Sequence, residues 1–261
     1  MSSALHLLAI SVGNTRTRFA AFDGGKVTDS FAFDNARLDE LIDQAIDRCA
    51  TPLQAHPGSP VVAASVNPPV LERVLAAVGR KVSAKVLRVD RELPIPIGRQ
   101  LDPETLCGED RLLNAAAAYD TLKQAVVVVD VGTAVTIDLI DGAGTFHGGA
   151  ILPGARMMLD ALHTRTAQLP EVDLTAPPGD DPIGHNTARA MISGVVHGIR
   201  GAVRELVEKY AEHIGAFPLV VATGGDADLL FHNYELIDRI VPDLTLMGIA
   251  VTARVAAEQA E

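Results

Sequence analysis

An α/β protein made of two similar halves is what this sequence predicts, and three observations predict it. Short β-branched runs alternate with helical patterns along the chain. A glycine-centred stretch near the start returns in the second half. Of the 261 residues 48% are hydrophobic, enough to fill a core; with only 4% aromatic and no Trp, that core must be Val, Leu, Ile and Ala.

In chain order, Leu5 to Ile10, Val61 to Val66, Val126 to Asp130 and Leu219 to Thr223 read as buried strands. Asn35 to Cys49 reads as a capped helix, with Leu38, Leu41, Ile42, Ala45 and Ile46 on one face. Val70 to Val78, Glu109 to Leu122, Asn186 to Ile214 and Met247 to Ala257 read as further helices. In the repeat, Ser11 aligns with Asp130, Val12 with Val131, Gly13 with Gly132 and Thr17 with Thr136. After a one-residue slip Asp23-Gly24 meets Asp141-Gly142. Each copy reads as strand, tight glycine turn, strand, then an Asp-Gly hairpin turn. The second copy starts just before Val126. The division is placed at 1–115 and 116–261, which gives each half one glycine hairpin.

A net charge of −11 argues against nucleic acid, which needs a basic face, and means that an anionic ligand must be captured locally. Cys49 and Cys107 form neither a disulfide framework nor a zinc set, and read as two reduced thiols. The eight histidines show no metal-ligand spacing and read as surface or core residues. Met1 to Ile10 has no basic region and no small-residue cleavage site, so it reads as the first strand. No apolar run approaches the ~20 residues that span a bilayer. By elimination the expected place is the cytoplasm, with no membrane partner.

The two turns carry the chemistry. Gly13 followed by Asn14-Thr15, and Gly132 followed by Thr133-Ala134, can each aim backbone N–H groups at an anion, because no Cβ blocks close approach. Either turn alone is an ordinary hairpin; a pair of them can grip a polyphosphate. Asp130 ends an apolar strand just before the second turn, where a carboxylate can hold a cation or simply bond its own turn. Gly108-Glu109-Asp110-Arg111 precedes an alanine-rich helix containing Asn114. Asp110 there is either a favourable end charge or a base for a hydroxyl proton, and Arg111 can pair with a carboxylate. Gly148-Gly149-Ala150-Ile151-Leu152-Pro153-Gly154 reads as close backbone packing. Thr223-Gly224-Gly225, at the end of a strand, suits a nucleoside or is a plain connection. Neither a P-loop nor a Rossmann fingerprint occurs.

Together these segments resemble the type III pantothenate kinases, of the acetate kinase, sugar kinase and actin superfamily. The resemblance runs nearly end to end. It covers Val12-Gly13-Asn14-Thr15, Gly108-x-Asp110-Arg111-x-x-Asn114-Ala115 and Asp130-x-Gly132-Thr133-Ala134-x-Thr136-x-Asp138. It continues through Gly148-Gly149-x-Ile151-x-Pro153-Gly154, Thr166-Ala167-x-Leu169-Pro170, the stretch from Gly184 and Thr187 to Ser193-Gly194, and Thr223-Gly224-Gly225. It implies two tandem ribonuclease-H-like (actin-like ATPase) domains with an interdomain cleft. It implies ATP-dependent phosphorylation of pantothenate to 4′-phosphopantothenate, the first step of coenzyme A biosynthesis. ATP would be held by Ser11, Gly13, Asn14, Thr15, Arg16, Arg18, Thr133 and Gly224. Asp110 would be the general base, and Gly108, Glu109, Arg111 and Thr187 would bind substrate, Thr187 across a homodimer interface. Asp130 would hold a monovalent cation, K⁺ or NH₄⁺, and Mg²⁺ or a similar divalent ion would accompany ATP.

Two positions depart from the family pattern. Ser11 stands where the family's first turn begins with Asp, and Gln100 stands where a Tyr usually precedes the Asp-Pro stretch at Pro103. A neutral hydroxyl binds a metal less strongly than a carboxylate. Two readings follow. One is a working kinase, with slower turnover or another acceptor. The other is a non-catalytic regulator of the same fold that binds nucleotide or pantothenate. The retained Asp110-Arg111 and Asp130 favour the kinase.

Overall fold

The computed structural model describes residues 5–89, 91–174 and 181–260; Met1 to Ala4, part of the N-terminal stretch read above, and Glu261 lie outside them. In chain order the elements are β1 (Leu7–Val12), β2 (Arg16–Asp23), β3 (Lys26–Asp34), α1 (Leu38–Cys49), α2 (Thr51–Ala55), β4 (Val61–Ser65), α3 (Pro68–Lys81), β5 (Val86–Arg88) and β6 (Gly98–Arg99). They continue with α4 (Glu109–Leu122), β7 (Val126–Val131), β8 (Ala134–Ile140), β9 (Thr145–Pro153), α5 (Ala155–Thr164), α6 (Thr187–Ile214), β10 (Leu219–Thr223), α7 (Ala227–Phe231), β11 (Arg239–Ile240) and α8 (Leu244–Ala260).

The chain groups into two compact units. Unit 1 is Met1–Ile97, Pro103–Asp120 and Leu244–Glu261; unit 2 is Gly98–Asp102 and Thr121–Asp243. The grouping is discontinuous in sequence, whereas the division drawn from the repeat, 1–115 and 116–261, is contiguous.

Unit 1 holds a five-stranded sheet of order β3-β2-β1-β4-β5. The first three strands form an antiparallel meander, and β4 and β5 run parallel to β1. Unit 2 holds β11-β10-β7-β8-β9-β6, in which β7, β8 and β9 are the meander and β10 and β11 the parallel pair. The order therefore recurs, with β6 as an extra edge strand, and both units are ribonuclease-H-like α/β layers. The two copies of the repeat are the two meanders: Gly13 and Gly132 turn the first strand into the second, and Asp23-Gly24 and Asp141-Gly142 turn the second into the third. The first of these latter turns has Gly24 and Gly25 at φ 59° and 78°, the positive values a primed hairpin requires. The second is longer, and the Asp141 carboxylate accepts the N–H groups of Ala143 and Thr145.

Leu7 to Ile10 and Val126 to Val129 are buried at every position, as strands covered on both faces must be. In unit 1, β1, β2 and β4 pack on α1 and α3 through Ile10, Phe19, Ile46, Val61 and Val74. In unit 2, Val127, Val129, Ile137, Val196, Ile199 and Val203 join the sheet to α6.

The sequence expectations for α4 and β10 match the observed ranges, and Asn186 is the cap of α6, its side chain accepting the Arg189 N–H at 2.9 Å. The expected helix at Asn35 begins later. Asn35–Arg37 is a 3₁₀ turn capped by Asp34, whose carboxylate accepts the Ala36 N–H, and α1 proper starts at Leu38. The helix placed at Val70 to Val78 starts at Pro68, since proline needs no hydrogen bond in a first turn. The last helix begins at Leu244 and belongs to unit 1: a Cβ on Gly248 would lie 2.2 Å from the Leu113 carbonyl oxygen, so the α8 and α4 backbones touch there. Beside that approach the Thr245 hydroxyl donates to Asn114 Oδ1 at 2.8 Å, both residues buried. Among the described residues no helix is long and apolar enough to cross a membrane.

Candidate functional site

Unit 1 assembles ten of the sequence-predicted site residues on the first turn and at the start of α4. The Gly13–Thr15 turn is closed by the Gly13 N–H bonding the Arg16 carbonyl at 2.9 Å. It is then gripped by a residue far along the chain. Asn35 Nδ2 donates to the carbonyls of Gly13 and Asn14 at 3.0 and 3.1 Å, its backbone N–H donates to the Thr15 carbonyl at 2.7 Å, and its Oδ1 accepts the buried Thr17 hydroxyl at 2.7 Å. With these carbonyls turned toward Asn35, the turn is rigid while Asn14, Thr15 and Arg16 stay exposed. Ser11 lies directly opposite Arg18 in the β1–β2 register, so their side chains share one face of the sheet.

Asp110, in the first turn of α4, reaches the same place. A shallow concavity is lined by Ser11, Gly13, Ser65, Asp110, Leu113 and Thr245, among others. The Asp110 carboxylate accepts the N–H of Arg111 at 2.8 Å. The Glu109 carboxylate accepts the Ser65 N–H at 3.1 Å, which ties the start of α4 to the end of β4. Gly108 leaves room for Asp110: a Cβ there would lie 2.6 Å from Asp110 Oδ1. So Ser11, Gly13 and Asp110, which sequence spacing could not relate, share one surface.

Unit 2 gathers Asp130, Gly132, Thr133 and Gly224. The Gly132 N–H bonds the Ala134 carbonyl at 2.9 Å and the Gly154 N–H bonds the Thr133 carbonyl at 3.0 Å. A Cβ on Gly154 would meet the Gly132 and Thr133 carbonyl oxygens at 2.2 and 2.5 Å. Gly224, at φ 98°, presses on Val131 and Asp130 so closely that a Cβ would lie 2.2 Å from the Val131 oxygen and 2.6 Å from Asp130 Oδ1. The glycine-rich segments are thus backbone approaches around the second turn. Asp130 faces Thr136 on one neighbouring strand and Thr223 on the other, in register, so all three side chains project from one face. The hydroxyls of Thr136 and Thr223 are buried with no hydrogen-bond partner. Thr187 is exposed at the first position of α6. Gln100 lies beside β6, its N–H bonding the Phe146 carbonyl at 2.9 Å.

Sequence reading missed Asn35, Ser65 and Thr245 as parts of these arrangements. Asn35 looked like a helix cap, and its partners lie some twenty residues earlier; no local signal marks such a clamp.

Against known proteins, the family model "Type III pantothenate kinase" matches residues 7–209. A type III pantothenate kinase of Frankia alni is 35% identical over 255 residues, covering 93% of this chain and 96% of the relative. One from Rhodospirillum rubrum is 36% identical over 253 residues, covering 95% and 98%. Among solved structures, a conserved protein of Campylobacter jejuni assigned to the Baf family of transcriptional activators aligns with a TM-score of 0.62 over 97% of this chain and all of its own. At 18% identity that likeness shows the fold alone.

Proposed function

This chain belongs to the type III pantothenate kinase family, and we propose from that membership that it transfers the γ-phosphoryl group of ATP to the primary hydroxyl of pantothenate, opening coenzyme A synthesis. The observation that best supports the reading is in unit 1: Asp110 lines the same concavity as Ser11 and Gly13. In this mechanism Asp110 accepts the hydroxyl proton as the pantothenate oxygen bonds the γ-phosphorus, and the bond to the bridging oxygen breaks to release ADP. Arg111 offers a planar fork to the pantothenate carboxylate, Gly108 and Glu109 of unit 1 shape the acceptor's surroundings, and Thr187 serves the acceptor across the homodimer interface. In unit 1 the Gly13–Thr15 backbone, the Ser11 hydroxyl and the cations Arg16 and Arg18 serve phosphate oxygens. In unit 2 the Thr133 turn does the same, and Gly224 lets a nucleoside approach the backbone.

Asp130 is the residue for a cation, and its surroundings fit one. Two buried hydroxyls without partners, on Thr136 and Thr223, share its sheet face and with it make a set of hard oxygen donors suited to K⁺ or NH₄⁺. For a divalent ion such as Mg²⁺, Asp130 is the charged oxygen donor that unit 2 offers. Bound cations would supply neutralisation of the phosphate charge. We place the enzyme in the cytoplasm as a homodimer, acting on small molecules without nucleic acid or membrane. The exposed Ile151 and Ile183 of unit 2 support self-association.

Ser11 favours one other reading, a nucleotide- or pantothenate-binding regulator. Purified protein with ATP, Mg²⁺, K⁺ and pantothenate separates the two. Phosphopantothenate should form, detected by mass. Asp110→Asn should lower kcat by about 10²–10⁴-fold while ATP still binds. An unchanged rate in Asp110→Asn would refute the role of Asp110, and ATP binding with no turnover by the natural chain would establish the regulator. Ser11→Asp should raise turnover or affinity for Mg²⁺-ATP.

A further inference from the structure

The Asp-Gly turn singled out by the repeat has neighbours for which the kinase reading has no use. His6 immediately precedes β1, Asp23 ends β2 beside it, and His56 closes α2. Asp23 Oδ1 lies 2.6 Å from His6 Nδ1 and 3.3 Å from His56 Nε2. The two imidazoles stack with centroids 3.5 Å apart and planes 24° from parallel. The three donor atoms all lie within 4.8 Å of one another. The backbones that carry them are held: the Gly25 N–H bonds the Leu5 carbonyl at 2.9 Å, the His56 N–H bonds the Pro52 carbonyl at 2.9 Å, and the Ser59 hydroxyl bonds the His56 carbonyl at 2.8 Å.

Two imidazole nitrogens converge on one carboxylate oxygen while their rings stack at 3.5 Å, so three donor atoms of the kinds that ligate a divalent ion are already gathered in one place. The donor set decides which ion. Imidazole nitrogen with one carboxylate oxygen suits late first-row metals, whereas Mg²⁺ and Ca²⁺ take oxygen ligands. The 3.3 Å between His56 Nε2 and Asp23 Oδ1 suits two neighbouring ligands of one tetrahedral ion at ~2.0–2.2 Å. The closer His6 contact, 2.6 Å, opens as the ion enters between the two atoms.

We propose that His6, Asp23 and His56 bind a late first-row divalent cation of the Zn²⁺ class. The ion takes a water as fourth ligand and ties the α2–β4 connection to the end of the β1–β2 ribbon. The site stands at the opposite end of β1 from Ser11 and Gly13, so it is separate from any nucleotide-associated Mg²⁺. Its effect is on the cohesion of unit 1.

The test uses the untagged full chain, stripped with a chelator and titrated with Zn²⁺ by calorimetry, with thermal unfolding followed in parallel. One Zn²⁺ should bind per chain and raise the melting temperature, and millimolar Mg²⁺ should not compete. His6→Gln combined with His56→Gln, and separately Asp23→Asn, should each weaken Zn²⁺ binding at least about tenfold and abolish the thermal shift. Equal Zn²⁺ affinity in the natural chain and the variants overturns the proposal, as does absence of stoichiometric binding to the natural chain. Should a variant not fold, Co²⁺ added to the natural chain decides. Intense visible bands of a four- or five-coordinate ion support the site, and the pale spectrum of the hydrated ion overturns it.

Discussion

Replacing Gly108 by Ala tests the proposed base without touching it. The added Cβ would stand 2.6 Å from Asp110 Oδ1 and 3.8 Å from Val66 Cγ1. Ordinary contact begins near 3.4 Å, so the carboxylate must withdraw by about 0.8 Å. The methyl is otherwise accommodated: Gly108 is not among the glycines at positive φ, and the only close atoms belong to a side chain that can rotate. Stability should therefore fall by about 0.5–1.5 kcal/mol, the cost of a rotamer shift of that kind. Catalysis should suffer more. A displacement near 1 Å at the reacting groups costs on the order of 10²-fold, so kcat for pantothenate should drop ten- to a hundredfold with little change in the KM for ATP. Steady-state ADP release measures both constants, and urea unfolding confirms the fold. A folded Gly108→Ala protein with kcat within twofold of the natural chain would refute the argument that the Asp110 carboxylate is positioned for proton removal.

Two further outcomes follow from the geometry. Asn35→Ala removes three side-chain hydrogen bonds and strands the buried Thr17 hydroxyl, so urea unfolding should show a loss of about 1–3 kcal/mol and the KM for ATP should rise; unchanged stability and KM would show that the turn holds itself. Burial pushes the Cys49 thiol up to about 12, against the helping charge of Arg48, so no thiolate forms near neutral pH. A disulfide reagent at pH 8 should consume one thiol per native chain, Cys107, and two after denaturation; two fast thiols in the native protein would contradict that burial.

Much of this arrangement could be read from the chain alone, for identifiable reasons. The meanders were legible because glycine and Asp-Gly turns keep their spacing in both copies, α4 because its run of alanines favours helix, and α6 because its Asn186 cap is local. Asn35 was misplaced because its side chain serves Gly13, Asn14 and Thr17 rather than the helix that follows it. The partnership of Asp110 with Ser11, and of Thr245 with Asn114, depends on strand order and on the return of α8, neither of which leaves a periodic trace. His6 and His56 lie fifty positions apart, so no motif spacing could pair them.

The return of α8 has a consequence for biosynthesis. Residues 121–243, most of unit 2, leave the ribosome before the helix that completes unit 1 has been translated. Emerging chains ordinarily consolidate from the amino end. Here the first-made sheet must wait, with the Leu113 and Asn114 face of α4 uncovered, until α8 has cleared the exit tunnel. Premature termination anywhere before Leu244 would therefore injure the part of the molecule made earliest.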